Sequence, residues 1–156
     1  MVIIDTDILL TEFRYQRDRK YHINKQFLSI IRTTGGATTV YTLMEFLGSI
    51  SFNVNSSRLA KWRSWLRDAY NLVIIWPEAR GIDADSFVHT LIFEHPFERM
   101  CSTPIAFVDS LILDLAEQVE EAETLVTWNA KHFVGRTSLV VKTPEEYLAS
   151  TGKVAS

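Results

Sequence analysis

The chain has 156 residues, enough for one domain with a buried core, and 47% of them are hydrophobic, which excludes a disordered polar chain. The formal net charge of −3 is not the global signature of a nonspecific nucleic-acid binder, so any contact with nucleic acid has to come from local basic groups or bound cations. One cysteine, Cys101, excludes an intrachain disulfide and the thiolate zinc motifs, and points to a reducing cytoplasm.

The predicted elements alternate between short apolar strands and amphipathic helices. No apolar run is long enough to span a bilayer. Residues 2–5 (Val-Ile-Ile-Asp) form a first strand, and with no basic region before it the N-terminus reads as structure and not as a signal peptide. A helix over 23–33 stops at Gly35-Gly36. Strand two covers 37–40 and a helix follows over 43–50. Residues 53–57 are a turn-rich break before a helix over 58–70. Strand three, 72–76, is ended by Pro77 and belongs at a sheet edge. Residues 83–93 are helical and 95–103 form a loop. Thr103-Pro104 reads as an N-cap and first-turn proline opening a helix to about Glu120. Strand four is 124–127, strand five is 139–141, and Pro144 opens a last helix through Leu148. This alternation argues for an α/β fold with a parallel central sheet and helices on both faces. A single domain spans 1–150, with 151–156 as a C-terminal tail.

Four polar residues stand where ligands bind in such sheets, at or near the carboxyl ends of strands: Asp5, Glu45, Asp109 and Asn129. Each has a plain structural reading beside the functional one. Asp5 can cap the next turn. Thr42-Leu43-Met44-Glu45 matches a capping box. Asn129 can cap the turn of residues 130–133. Asp109 is the strongest, because Ile105, Ile112, Leu113 and Ala116 share its helical face and a carboxylate there is expensive to bury unless paired. Asp114 falls on the polar side of that helix and reads as a solvated carboxylate. Asp7 is either a ligand or a support for the first loop. Gathered carboxylates repel unless a cation joins them, and oxygen donors suit Mg²⁺ or Mn²⁺. His22, His89, His95 and His132 show no metal-ligand spacing.

The opening Met1-Val2-Ile3-Ile4-Asp5-Thr6-Asp7-Ile8-Leu9-Leu10 resembles that of a PIN domain. So do Glu45 early in a helix, Phe107-Val108-Asp109-Ser110-Leu111-Ile112, and Thr127-Trp128-Asn129-Ala130-Lys131-His132-Phe133. The stretch from Val140 to Leu148 resembles the family's usual ending. The likeness covers nearly the whole chain. It implies a three-layer α/β/α fold with a sheet ordered 3-2-1-4-5 and a metal-dependent endoribonuclease. Many stand-alone members are VapC-type toxins, so the resemblance also implies RNA as substrate, often a homodimer, and a small antitoxin protein as partner. It places the metal ligands at Asp5, Glu45 and Asp109. The fourth position is often Asp, and Asn129 leaves a second metal in question.

Two other readings compete. Ile3-Ile4-Asp5-Thr6-Asp7 also looks like the opening of a haloacid-dehalogenase-type phosphohydrolase, with Asp5 as nucleophile, Asp7 as acid and Asp109 and Asp114 as a late pair. A receiver module needs an acceptor Asp after strand three, where Ile74-Ile75-Trp76-Pro77 has none. Of the basic residues, Arg14 and Arg17 are favoured for phosphate contact over Arg19 and Lys20 in the same segment, and Lys131 is a further candidate. Arg58, Lys61, Arg63 and Arg67 read as a solvated face. Trp62 and Trp65 are assigned to core or subunit contact.

Overall fold

The computed structural model describes residues 1–79 and 81–152, apart from the Arg63 side chain. Residues 153–156, most of the expected tail, lie outside the described residues. Five parallel strands make one sheet in the order β3-β2-β1-β4-β5, as expected. They are β1 (Val2–Ile4), β2 (Gly36–Thr39), β3 (Leu72–Ile75), β4 (Thr124–Val126) and β5 (Val140–Lys142). Alternation along the strands divides the core. Ile4 and Val126 face a cluster with Phe27, Ile31, Phe46, Leu66 and Leu148. Ile3 and Leu125 face the opposite one, with Ala37, Leu113, Ala116 and Phe133. A sheet covered on both faces explains why β1 and β3 are apolar throughout and why even the Thr38 and Thr39 side chains of β2 are buried.

Gly36 in β2 is a real constraint. A Cβ there would come within 3.1 Å of Ile31 and 3.3 Å of the Val2 carbonyl, so the close approach of β2 to β1 depends on a hydrogen at that position.

Several expected boundaries are corrected. The segment after β1 is not a loop: helix α1 (Thr6–Phe13) begins at once, with Asp5 as its N-cap. Helix α2 is Tyr21–Thr34. Helix α3 (Val40–Ser51) starts three residues earlier than expected, because Thr39 caps it by accepting from the Thr42 N–H at 3.1 Å. The capping box proposed for Thr42 and Glu45 therefore does not exist, and Glu45 lies in the second turn. The single helix over 58–70 is two, α4 (Ser56–Leu59) and α5 (Trp62–Tyr70). The 83–93 helix is α6 (Ala84–Val88) followed by a π-helical turn, His89–Glu94.

The loop expected at 95–103 is helix α7 (His95–Ser102), which continues from the π-helical turn with no break in helical dihedrals at Glu94 and His95 and carries Pro96 as its second residue. Thr103 ends α7 in an extended conformation, as suits a residue before proline, so it does not open the next helix. Helix α8 is Phe107–Glu117, and α9 is Pro144–Ser150 with a complete capping box between Thr143 and Glu146. No described helix is long and apolar enough to cross a membrane.

Candidate active site

Asp5 leaves the carboxyl end of β1, and its neighbour in the sheet is Thr127 at the end of β4, one residue past the Ile4–Val126 register pair. This is where the chain's connections diverge to the two sides of the sheet, the place where open α/β sheets form a crevice. Asp5 is 5% exposed. Its Oδ1 accepts from the Thr6 N–H at 2.7 Å, and its Oδ2 lies 2.7 Å from the Thr127 hydroxyl. The same hydroxyl lies 3.0 Å from Asp7 Oδ2 and accepts from the Asn129 N–H at 3.0 Å. The Trp128 N–H donates to Asp7 Oδ1 at 3.1 Å. Asp7 thus ties the first turn of α1 to the turn after β4, which is the supporting role raised for it from sequence.

Electrostatics show which carboxylates share the crevice. Burial, then the charge of Asp7, and also that of Asp109, push the Asp5 carboxyl up to about 8. Burial raises Asp7 as well, against the pull of the Trp128, Thr127 and Asn129 hydrogen bonds and the Lys20 ammonium. Asp109 is raised by burial and by Glu45, with His132 and Arg136 opposing. Asp109 sits in the first turn of α8, where the helix dipole favours a carboxylate. Glu45 is exposed, and its Oε2 accepts from the Thr6 hydroxyl at 2.5 Å. The tertiary structure therefore brings Asp5, Glu45 and Asp109 to one edge. Asn129 stands at its rim, with its backbone N–H in the network and its exposed side chain making no capping bond.

The all-oxygen donor set and its mutual repulsion fit a hard divalent cation. Among the described residues, however, no three such groups already stand close enough together to hold one. The Asp109 charge reaches Asp5, and the Glu45 charge reaches Asp109.

Asp114 corrects the sequence reading. It is not solvated: its Oδ1 accepts from Arg99 Nε at 2.6 Å, and Arg99 Nη2 donates to Glu117 at 2.5 Å. Arg99 also donates to the Arg136 carbonyl at 3.0 Å, so α7, α8 and the 136–138 segment are clamped together. With Asp114 held there, the phosphohydrolase reading loses its late acidic pair. Arg14 lies at the far end of α1, about 13 Å of helix rise from Asp5, where it donates to the Ser49 carbonyl. Arg17 follows it in the same exposed turn, and Lys131 is exposed beside Asn129. Trp62 packs against the core, while Trp65 is 38% exposed.

Thr6, Asn24 and Thr127 were missed from sequence. Asn24 is fully buried, donates to the Ile8 carbonyl at 3.1 Å and accepts from the Trp128 indole at 2.9 Å. The available signals were Thr6 between Asp5 and Asp7, Thr127 at the end of a predicted strand, and a polar residue on the apolar face of α2.

No protein-family model and no curated protein matches the chain. Solved structures share its fold, among them the following three. FitAB bound to an IR36 DNA fragment aligns with a TM-score of 0.57 at 14% identity, covering 92% of this chain and 95% of that one. FitAcB from Neisseria gonorrhoeae aligns at 0.57 and 15%, covering 93% and 99%. VapBC2 from Rickettsia felis, bound to a DNA fragment from their promoter, aligns at 0.55 and 17%, covering 92% and 98%. At these identities the likeness establishes the fold, and that fold is the PIN-like one expected from the sequence.

Proposed function

We propose that the chain is a metal-dependent endoribonuclease of the PIN type, acting as the toxin of a toxin–antitoxin pair. The observation that carries this is the convergence of Asp5, Glu45 and Asp109, from three separated segments, on the crevice between β1 and β4. Their oxygens would hold Mg²⁺ or Mn²⁺. Such an ion, when bound, lowers the pKa of a water ligand and stabilises charge on a scissile phosphate. The chain's own part is positioning. Thr127 and the Thr6 N–H fix the Asp5 carboxylate, the Thr6 hydroxyl fixes Glu45, and Asn129 offers an amide at the rim. Ionising Asp5 is unfavourable in the metal-free pocket, so the proton it holds must leave when a cation enters.

The VapBC2 and FitAB structures, with the resemblance to VapC-type toxins, support a small antitoxin protein as partner. A homodimer belongs to the same reading, with exposed aromatic surface at Trp65 available for contact.

The test is cleavage of structured RNA by the purified chain with Mg²⁺, Mn²⁺ or EDTA, beside the Asp109→Asn variant and a p-nitrophenyl phosphate control. Metal-dependent RNA cleavage that disappears in the variant supports the proposal. Phosphatase activity without RNA cleavage overturns it.

A further inference from the structure

An open cleft of about 410 Å³ lies beside the carboxylates, lined by Arg19, Lys20, Trp128, Thr143 and Glu145. Trp128 joins it to the site. Its backbone N–H donates to Asp7, and its indole N–H donates to the buried Asn24. The ring is therefore fixed at both ends. The Lys20 ammonium sits over that ring, 5.1 Å from its centroid. The Lys20 backbone is fixed too, since its N–H donates to Asp18 at 2.8 Å and its carbonyl accepts from Asn24 at 2.9 Å. Among the described residues no carboxylate lies within 4.0 Å of Arg19 or Lys20 as an ion pair, and the Lys20 charge reaches Asp7 only through space. Glu145, on the opposite wall, is exposed.

A preorganised lysine, a neighbouring arginine and an aromatic edge next to a phosphodiester-cleaving site form a phosphate contact that fixes register without reading bases. We propose that Lys20, held beside Trp128, and Arg19, exposed on the same cleft, form a subsite for the phosphate of a nucleotide flanking the scissile position of single-stranded RNA. This rests on the ribonuclease reading above. It transfers the main phosphate contact from Arg14 and Arg17, at the far end of α1, to the end of the same segment that meets β4.

The test is fluorescence anisotropy of a labelled single-stranded RNA of about a dozen nucleotides, in EDTA, across a salt series, for wild type, Lys20→Ala, Lys20→Arg, Arg19→Ala and Lys61→Ala. Each lost phosphate contact lowers the log–log salt slope by about 0.7 on a single strand and weakens binding several-fold near 0.1 M salt. Lys20→Ala and Arg19→Ala should each show this, Lys20→Arg should restore most of it, and Lys61→Ala, in another groove, should not. If Lys20→Ala lowers the melting temperature, Lys20→Gln, which keeps part of the stem on Trp128, replaces it.

An unchanged slope in both alanine variants overturns the subsite even where wild type cleaves RNA. A Lys20-dependent slope in a chain that cleaves nothing retains the subsite and sinks the nuclease reading. Failure of wild type to bind RNA, while an acidic peptide binds with Lys20 dependence, assigns the cleft to a protein partner and overturns the proposal.

Discussion

The Thr127 hydroxyl lies 2.7 Å from Asp5 Oδ2, joining the ends of two adjacent strands whose residues are 122 positions apart in sequence. That hydroxyl has a single proton and also faces Asp7, so only one carboxylate receives it fully at any moment.

Thr127→Val keeps the shape and removes the bridge. Asp5 and Asp7 lose a donor, and the Asn129 N–H loses the Thr127 hydroxyl as an acceptor. Unfolding by urea in EDTA should show a loss of about 2 kcal/mol, and Thr127→Ser should recover most of it. A valine variant as stable as wild type would show that the hydroxyl contributes nothing.

The Asp5 shift sets a pH dependence. In the folded, metal-free protein its carboxyl titrates near 8, against an ordinary 3.8, so the folded state keeps a proton that the unfolded chain releases. The stability this confers is complete below about pH 4 and is lost as pH rises to about 8, with Asp7 and Asp109 shifted in the same direction. The melting temperature in EDTA should therefore fall between pH 5 and 8, by at most about 1.4 kcal/mol of stability per pH unit for Asp5 alone. Asp5→Asn should flatten that slope and melt higher than wild type at pH 8. Parallel pH profiles for the two proteins would contradict the buried-carboxylate account.

Two carboxylates five residues apart on α8, and so on different faces, should behave oppositely. Asp109→Asn removes a repelled charge, so stability should hold or rise while RNA cleavage falls by at least about a hundredfold. Asp114→Asn weakens the bond to Arg99, where both side chains are largely buried, and should cost about 2 kcal/mol while cleavage per folded molecule persists. Thermal melts run beside RNA assays separate the two. An Asp114→Asn variant that is fully stable but inactive would reverse their roles.

Asn129→Asp adds a charge at the rim with little change in size. The gain in melting temperature from EDTA to Mn²⁺ should be larger than in wild type, because repulsion weakens the metal-free form and a cation relieves it. RNA cleavage should be retained or increased. An equal or smaller metal response would place position 129 outside the site.

The sequence alone determined the layered parallel sheet. Its strands are short runs rich in β-branched residues, a local signal, and each expected strand falls within a residue or so of the observed one. The Thr143–Glu146 capping box is equally local, so α9 was legible from Pro144 onward. Asp5, Glu45 and Asp109 were legible as positions because each follows or sits near the end of a strand or the start of a helix. Helix α1 was hidden because the polar Thr6, Thr11 and Glu12 are buried together with Ile8 and Leu9, so polar and apolar residues do not separate into faces. Helix α7, expected as a loop over 95–103, carries Pro96 as its second residue and continues from a π-helical turn, a junction with no local sequence signal.

Tertiary structure decided the rest. Thr6 meets Glu45 across 39 residues, Arg99 captures Asp114 and Glu117 from another helix, and Trp128 holds Lys20 beside the crevice. A side chain's charge state depends on which distant groups exclude water from it and which share its field. That depends on the packing of segments far apart in the chain, so the sequence could name the carboxylates while only the fold showed how each is held.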